Sequence, residues 1–269
     1  MEAKNRKKGQ PEIVQDERDA KYMENEGEEE VAENGGWKSI ISNFYSFLSE
    51  EPVRKHLKNV YATVTITSIC AAAGGFAHLY SSIIGAGLLT GIGSLVLMLM
   101  LLGTPQSPKN TPLRLAYLAG FGFLSGTNLG PLLQMAIIVE PTIIMEALLG
   151  TAIVFACFSL AALYSPRGKY LYLGGTLISI LSTLFFLSLV NLFFSSRLLF
   201  QANLYIGLAV MCGFVVYDTQ LIIEKKRLGN DDFIMHGMEL FIDFMAIFKR
   251  ILVILTDKEA QNKRNRRRN

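Results

Sequence analysis

The middle of this 269-residue chain has almost no charge. Residues 57–223 contain nine Asp, Glu, Lys and Arg side chains in 167 positions. A soluble domain needs about a quarter of its residues charged to cover its surface, so this stretch has too few for one. The shortage excludes a soluble enzyme and a nucleic-acid-binding module, and it predicts a protein that faces membrane lipid.

Cysteine is also scarce. The three that occur, Cys70, Cys157 and Cys212, all lie inside apolar runs. The count is odd and the spacing suits neither metal ligands nor a redox motif, so we interpret them as small hydrophobic residues. The sequence therefore predicts no disulfide framework and no tightly bound cofactor. No signal peptide is expected, since a charged segment precedes the first apolar stretch.

The charge is concentrated at the two ends. Residues 1–36 have six basic and eleven acidic side chains and few aliphatic ones, which predicts a disordered acidic cytoplasmic tail. Residues 256–269 form a basic tail that could bind anionic lipid. In residues 37–50, apolar side chains recur at helical spacing, which predicts an amphipathic helix. It would lie on the membrane surface or pack against the cytoplasmic end of the bundle.

The region between the tails, residues 55–255, is predicted to be a helical membrane bundle. Spanning takes about 20 apolar residues. Six runs are long enough, near 58–79, 82–103, 113–135, 143–164, 170–192 and 198–222. A seventh run, 233–255, differs because it contains His236, Glu239, Asp243, Lys249 and Arg250.

The seventh segment cannot face lipid. A charge at mid-membrane costs at least about 2.5 kcal/mol. Residues at offsets of 3, 7 and 14 from His236 share one helix face, so the polar side chains can point inward. The predicted fold is an all-α polytopic membrane protein, in which six transmembrane helices surround a central polar seventh.

Two topologies remain open for this seventh helix. Lys and Arg residues concentrate in the second, fourth and sixth loops, which predicts a cytoplasmic amino terminus. A full seventh crossing would put the basic tail on the other side, against the same rule. We therefore favour a semi-spanning, re-entrant segment with a cytoplasmic carboxyl terminus, and keep a fully spanning helix as the alternative.

Gly122, Gly126 and Gly130 form two successive Gly-xxx-Gly steps in the third predicted helix. This spacing lets two helix backbones approach closely. The partner could be a second copy of the chain. In a polytopic bundle, a neighbouring helix of the same chain is the more frequent partner.

Asp218 and Asp243 are the strongest candidates for function. A short polar turn joins the sixth and seventh segments, so these are antiparallel neighbours. Asp218 lies about six residues before that turn and Asp243 about eleven after it, which puts the two carboxyls at comparable depth. Each could instead be satisfied separately, but intramembrane carboxylates are functional by default.

Two carboxyls close together in a low dielectric cannot both ionise cheaply, so they titrate as a pair. Such a pair could change charge near neutral pH and sense protons. Once ionised, the same oxygens suit Ca²⁺, and two carboxylates alone would hold it weakly, as a permeation path requires. Glu239, one turn from Asp243, could be a further calcium-facing carboxylate. His236 could tune the pH response.

Three stretches of sequence resemble the transmembrane Bax-inhibitor-motif family, and its eukaryotic endoplasmic-reticulum members above all. They are Phe200-Gln201-Ala202-Asn203-Leu204-Tyr205, the run from Tyr217-Asp218-Thr219-Gln220 to Lys225, and Glu239-Leu240-Phe241-Ile242-Asp243-Phe244. The resemblance covers about residues 55–255. It implies a multi-pass endoplasmic-reticulum protein that suppresses cell death and ER-stress death as a pH-sensitive Ca²⁺ leak. The family's pore aspartates fall on Asp218 and Asp243.

Two other functions compete with the leak. An intramembrane aspartyl protease would also use two membrane aspartates, but the Gly-x-Gly-Asp of that family is Phe241-Ile242-Asp243-Phe244 here. We therefore expect no enzyme. The other alternative is a non-conducting regulator that binds Bcl-family proteins or ER stress sensors, with structural carboxylates.

Overall fold

The computed structural model describes residue 38 and residues 50–80, 85–266 and 268. In these ranges every regular element is a helix, and we number eight of them in chain order. They are α1 (Glu51–Tyr80), α2 (Leu88–Gly103), α3 (Thr111–Asn128), α4 (Gly130–Val139), α5 (Thr142–Tyr164), α6 (Leu173–Phe194), α7 (Arg197–Arg227) and α8 (Phe233–Arg266). The predicted acidic tail, 1–36, and nearly all of the predicted amphipathic helix, 37–50, lie outside the described residues.

Several of these helices suit a membrane. Four of them, α1, α5, α6 and α7, are long and apolar enough to cross one, and α3 with α4 makes a fifth candidate span that is bent by 44°. Large apolar side chains cover the outside, with Phe193 and Leu89 both 84% exposed. The prediction of a multi-pass helical protein is thus confirmed. The finer prediction of six full-length spans is met only in part, because α2 has 16 residues and the third span is broken after Asn128.

Salt bridges mark the two ends of the bundle. The end that we call basal holds Glu50 with Arg167 and Arg227, and Arg114 with Asp232. The end that we call apical holds Arg197 with Asp257, and Lys263 with Glu140. Because α3 begins at the basal end and α4 finishes beside Glu140, these two groups lie on opposite faces of the membrane domain.

Helix α8 occupies the centre of the bundle. It packs against α1, α5 and α7, and it buries both apolar and polar side chains, among them Phe241, Leu252, His236 and Asp243. The predicted polar segment thus packs against several helices, while the arrangement of six spans around it stays a prediction. Because α8 contains several charged residues, it is not one of the apolar candidate spans. Its inner face is nevertheless well packed.

The length of α8 departs from the favoured re-entrant topology. Its 34 residues extend from the basal Phe233 to Arg266, about 51 Å at 1.5 Å per residue. Asp257 and Lys263 then reach the apical end. The helix does not turn back near residue 255, and it continues through residues that the sequence analysis assigned to the basic tail. A continuous helix of this length is what the fully spanning alternative requires, and it places residues 256–266 at the end of the bundle opposite Glu50.

Helices α1 and α3 meet through glycines. A Cβ added to Gly122 would lie 2.7 Å from the Thr67 carbonyl oxygen, and one added to Gly126 would lie 1.8 Å from that of Ala71. Gly130, at the start of α4, lies against the ring of His78. The glycine series of the sequence analysis therefore faces α1 of the same chain.

Candidate functional site

The candidate site lies between α7 and α8, within the membrane domain. Asp218 is nine residues before the basal end of α7, and Asp243 is ten residues after the start of α8. At 1.5 Å per residue these positions are about 14 and 15 Å from the basal end. The antiparallel packing of the two helices therefore brings the two residues to the same depth.

The structure brings the two carboxyl groups into direct contact. The side chains of Asp218 and Asp243 face each other and are close enough to interact. Asp243 is 6% exposed, whereas Asp218 is half-buried. The buried Oδ2 atom of Asp243 has no hydrogen-bond partner among the described residues. Since a carboxylate has no hydrogen to donate, a hydrogen bond between the two side chains forms only when one of them carries a proton.

Glu239 lies near this pair but is bonded elsewhere. Lys225 Nζ donates to Glu239 Oε1 at 3.1 Å and to Oε2 at 3.2 Å. Both side chains are mostly buried, with 25% of Glu239 and 30% of Lys225 exposed. The ammonium group therefore neutralises the carboxylate that the sequence analysis assigned to calcium. The cluster consists of two facing aspartates beside a Lys225–Glu239 ion pair.

His236 is placed away from the aspartates. It lies seven residues before Asp243, about 10 Å along α8, and is 1% exposed. Its Nδ1 atom is 2.9 Å from Nε2 of His56 in α1, and the two rings meet edge to face. Because one hydrogen is shared by two ring nitrogens, this contact forms only while at least one of the rings is neutral.

The described residues form no compact metal centre. Among them, no group of three or more His, Cys, Asp or Glu side chains could hold a metal ion. Asp218 and Asp243, predicted as the metal-facing pair, offer four oxygens at most, whereas Ca²⁺ takes six to eight. A calcium ion here would keep much of its water, as expected for a permeant ion.

Two residues of this region escaped the sequence analysis. Lys225 was not predicted as a site residue, although it follows Asp218 by seven residues and so shares its helix face. His56 precedes the first predicted span. It pairs with His236, 180 residues away in the sequence. Local sequence patterns cannot predict a contact between positions so far apart.

Comparison with known proteins extends over most of the chain. The family model described as "Inhibitor of apoptosis-promoting Bax1" matches residues 53–260. Human Bax inhibitor 1 is 50% identical over 214 residues, which cover 80% of this chain and 90% of the human protein.

The similarity extends to distant organisms. Bax inhibitor 1 of Drosophila melanogaster is 43% identical over 236 residues, which are 86% of this chain and 96% of the fly protein. Bax inhibitor 1 of Arabidopsis thaliana is 43% identical over 209 residues, which are 77% of this chain and 83% of the plant protein.

Proposed function

This chain belongs to the family of inhibitors of apoptosis-promoting Bax1, and we propose that it lets Ca²⁺ leak from the endoplasmic reticulum under proton control. The family places it among anti-apoptotic membrane proteins. The leak, its pH gate and the location are our proposal, with a cytoplasmic amino terminus as the Lys and Arg distribution predicts.

The observation that carries the proposal is the contact between Asp218 and Asp243. It places two carboxyl groups of neighbouring membrane helices where they can share one proton. When the proton leaves, two negative charges face each other in a region of low dielectric, where their repulsion is strong. The bond between α7 and α8 is then lost, and the same oxygens become available to a cation.

Calcium and protons would compete for the same atoms. Hydrated Ca²⁺ could exchange part of its water for carboxylate oxygens of Asp218 and Asp243, and the nearby Glu239 would add negative potential. Lys225 limits that potential, because it pairs with Glu239. Two carboxylates bind Ca²⁺ too weakly to trap it, so the ion can leave again.

The test is Ca²⁺ efflux from proteoliposomes that contain the purified protein, measured from pH 5.5 to 8. Asp218→Asn and Asp243→Asn keep the size of the side chain and remove the titrating group. We expect efflux by the wild type to depend on pH, and either substitution to flatten that dependence.

Glu146→Gln is the matched control. Glu146 is an exposed carboxylate on α5 without a salt bridge in the described part of the chain, so its pH profile should follow that of the wild type. The same profile in all four proteins would contradict gating by the aspartate pair. Efflux no faster than from empty vesicles at every pH would contradict conduction itself. It would favour a regulator that acts by binding Bcl-family proteins or ER stress sensors.

A further inference from the structure

A cavity of about 660 Å³ with apolar and polar walls lies between α6, α7 and α8 near their apical ends. Its polar wall includes the hydroxyl and amide side chains of Ser188, Asn191, Ser196 and Asn203. Arg197 and Arg250 are the charged residues of the lining, which contains no Asp or Glu. The charge of the lining itself is thus positive, although Arg197 also pairs with Asp257 beside the cavity.

Arg250 is the central feature of this cavity. It lies on α8, seven residues beyond Asp243 and therefore on nearly the same helix face. Its guanidinium fits against α7 because residue 207 is glycine, where a Cβ would lie 2.6 Å from Arg250 Nε. The side chain is half-buried.

The guanidinium has little to bind within the described parts of the chain. Its one hydrogen bond there runs from Nη1 to the Ala246 carbonyl at 3.4 Å, and no carboxylate in those parts lies within 4.0 Å. Arginines within a membrane domain are expensive unless they pair or face water. Most of the donors of Arg250 are therefore available to a group inside the cavity.

Arg197 stands at the rim of the same cavity. Its Nη2 atom donates to Asp257 Oδ1 at 3.2 Å, and 59% of its side chain is exposed. Asn191 accepts from the backbone N–H of Ser196 through Oδ1 at 2.8 Å, so its Nδ2 hydrogens remain for another acceptor. A ligand in the cavity could then contact two guanidinium groups and an amide.

We propose that this cavity binds a phosphate-bearing anion, with Arg250 as its main ligand and Arg197 and Asn191 in support. Guanidinium groups bind phosphate oxygens through two parallel N–H···O bonds, which gives strength and orientation. The phosphate could belong to a lipid headgroup or to a free ion. The apolar rim residues Leu192 and Phe200, 75% and 47% exposed, would lie beside acyl chains in the first case.

The site is separate from the proposed calcium leak. Two helical turns along α8 lie between Arg250 and Asp243, about 10 Å. Binding can be measured without calcium and without a pH gradient. Failure of one proposal therefore leaves the other intact.

The experiment uses native mass spectrometry of the full-length protein, with two probes. In the first arm the protein is released from phosphatidylcholine nanodiscs that contain one-tenth phosphatidylglycerol. In the second arm delipidated protein in neutral detergent is titrated with inorganic phosphate. Arg250→Gln removes the main ligand, Arg250→Lys keeps its charge without the planar fork, and Arg54→Gln removes an exposed arginine at the basal end.

We expect the wild type and Arg54→Gln to retain the phosphate-bearing probe alike. Arg250→Gln should weaken retention of the probe about tenfold or more, because charged hydrogen bonds are lost. Retention by Arg250→Lys should be intermediate between that of the wild type and that of Arg250→Gln. Retention in the first arm only assigns the site to a lipid headgroup, and retention in the second assigns it to free phosphate. Equal retention by Arg250→Gln and Arg54→Gln in both arms, or none by the wild type, would overturn the proposal. A melting temperature for each variant separates loss of binding from loss of folding.

Discussion

Arg114 and Asp232 join the basal ends of α3 and α8 through a two-pronged ion pair. Arg114 Nη1 donates to Asp232 Oδ1 at 2.9 Å, and Nη2 donates to Oδ2 at 2.6 Å. Oδ1 also accepts from the backbone N–H of Met235 at 3.1 Å, so the same carboxylate caps the first turn of α8. The side chains are 5% and 15% exposed. This pair fixes the central helix to the broken α3–α4 span.

Removal of Arg114 should destabilise the protein strongly. Arg114→Gln would leave a nearly buried carboxylate without its cation, which costs about 3 kcal/mol or more. We expect a correspondingly lower free energy of unfolding in mixed micelles. Arg167→Gln is the control, because Arg167 is 65% exposed in its pair with Glu50. It should change stability by less than about 1 kcal/mol. Equal losses in the two variants would contradict a structural role for the buried pair.

The close approach of α1 and α3 makes Gly126 intolerant of any side chain. The added Cβ of Gly126→Ala would lie 1.8 Å from the backbone oxygen of Ala71, so the helices must separate. Overpacking of this kind costs 1–3 kcal/mol and occasionally more, and we expect about 3 kcal/mol here.

Gly91→Ala is the matched substitution in a neighbouring helix. Its Cβ would meet no atom within 4 Å, and alanine favours helix over glycine by about 0.5–1 kcal/mol. Thermal melting in detergent should therefore show a lower midpoint for Gly126→Ala and an equal or higher one for Gly91→Ala. A fall of similar size in both would show that the contact between α1 and α3 is not the cause.

Much of the fold could be predicted from sequence because it depends on local patterns. Apolar runs of spanning length, the polar face of residues 233–255 and the Gly-xxx-Gly steps are all periodic. The meeting of Asp218 and Asp243 could be predicted as well. A short turn between two helices determines which residues lie at equal depth.

The features that could not be predicted depend on contacts between distant segments. His56 faces His236, and Arg250 fits beside Gly207, because of how whole helices pack. The length of α8 was underestimated for another reason. The residues after 255 were assigned to a basic tail, whereas the helix continues through them to Arg266.

The course of α8 predicts which side of the membrane its end faces. Lys58 lies near the basal start of α1, and Asn262 lies near the apical end of α8. With Cys70, Cys157 and Cys212 first replaced by alanine, Lys58→Cys and Asn262→Cys each provide one thiol. In sealed, uniformly oriented vesicles, a membrane-impermeant maleimide should label one variant from outside and the other only after permeabilisation. Labelling of both variants from the same side would support the re-entrant topology instead.

Glu50 gives the basal end a pH-dependent stability. Its carboxylate accepts from Arg227 Nε at 2.9 Å and from Nη2 at 3.0 Å, and it also contacts Arg167. The hydrogen bond from Arg227 is the largest influence on this group, and together with Arg167 it holds the pKa of Glu50 below its usual 4.5. A lowered pKa means that the unfolded chain takes up the proton first. The stabilisation is therefore complete above pH 4.5 and is lost as the pH falls through the lower folded value.

Glu50→Gln should remove this contribution. We expect a lower melting temperature than that of the wild type at pH 7, and a difference that shrinks steadily as the pH falls below 4.5, where the wild-type carboxyl is also neutral. Glu51→Gln, one residue along and exposed, serves as the control and should follow the wild type at every pH. The difference in melting temperature between Glu50→Gln and the wild type could instead stay constant down to pH 3. In that case the packing of the Glu50 side chain, and not its charge, would stabilise its contact with Arg227. Such a result would show that the charge of Glu50 does not help to hold the start of α1 against α7.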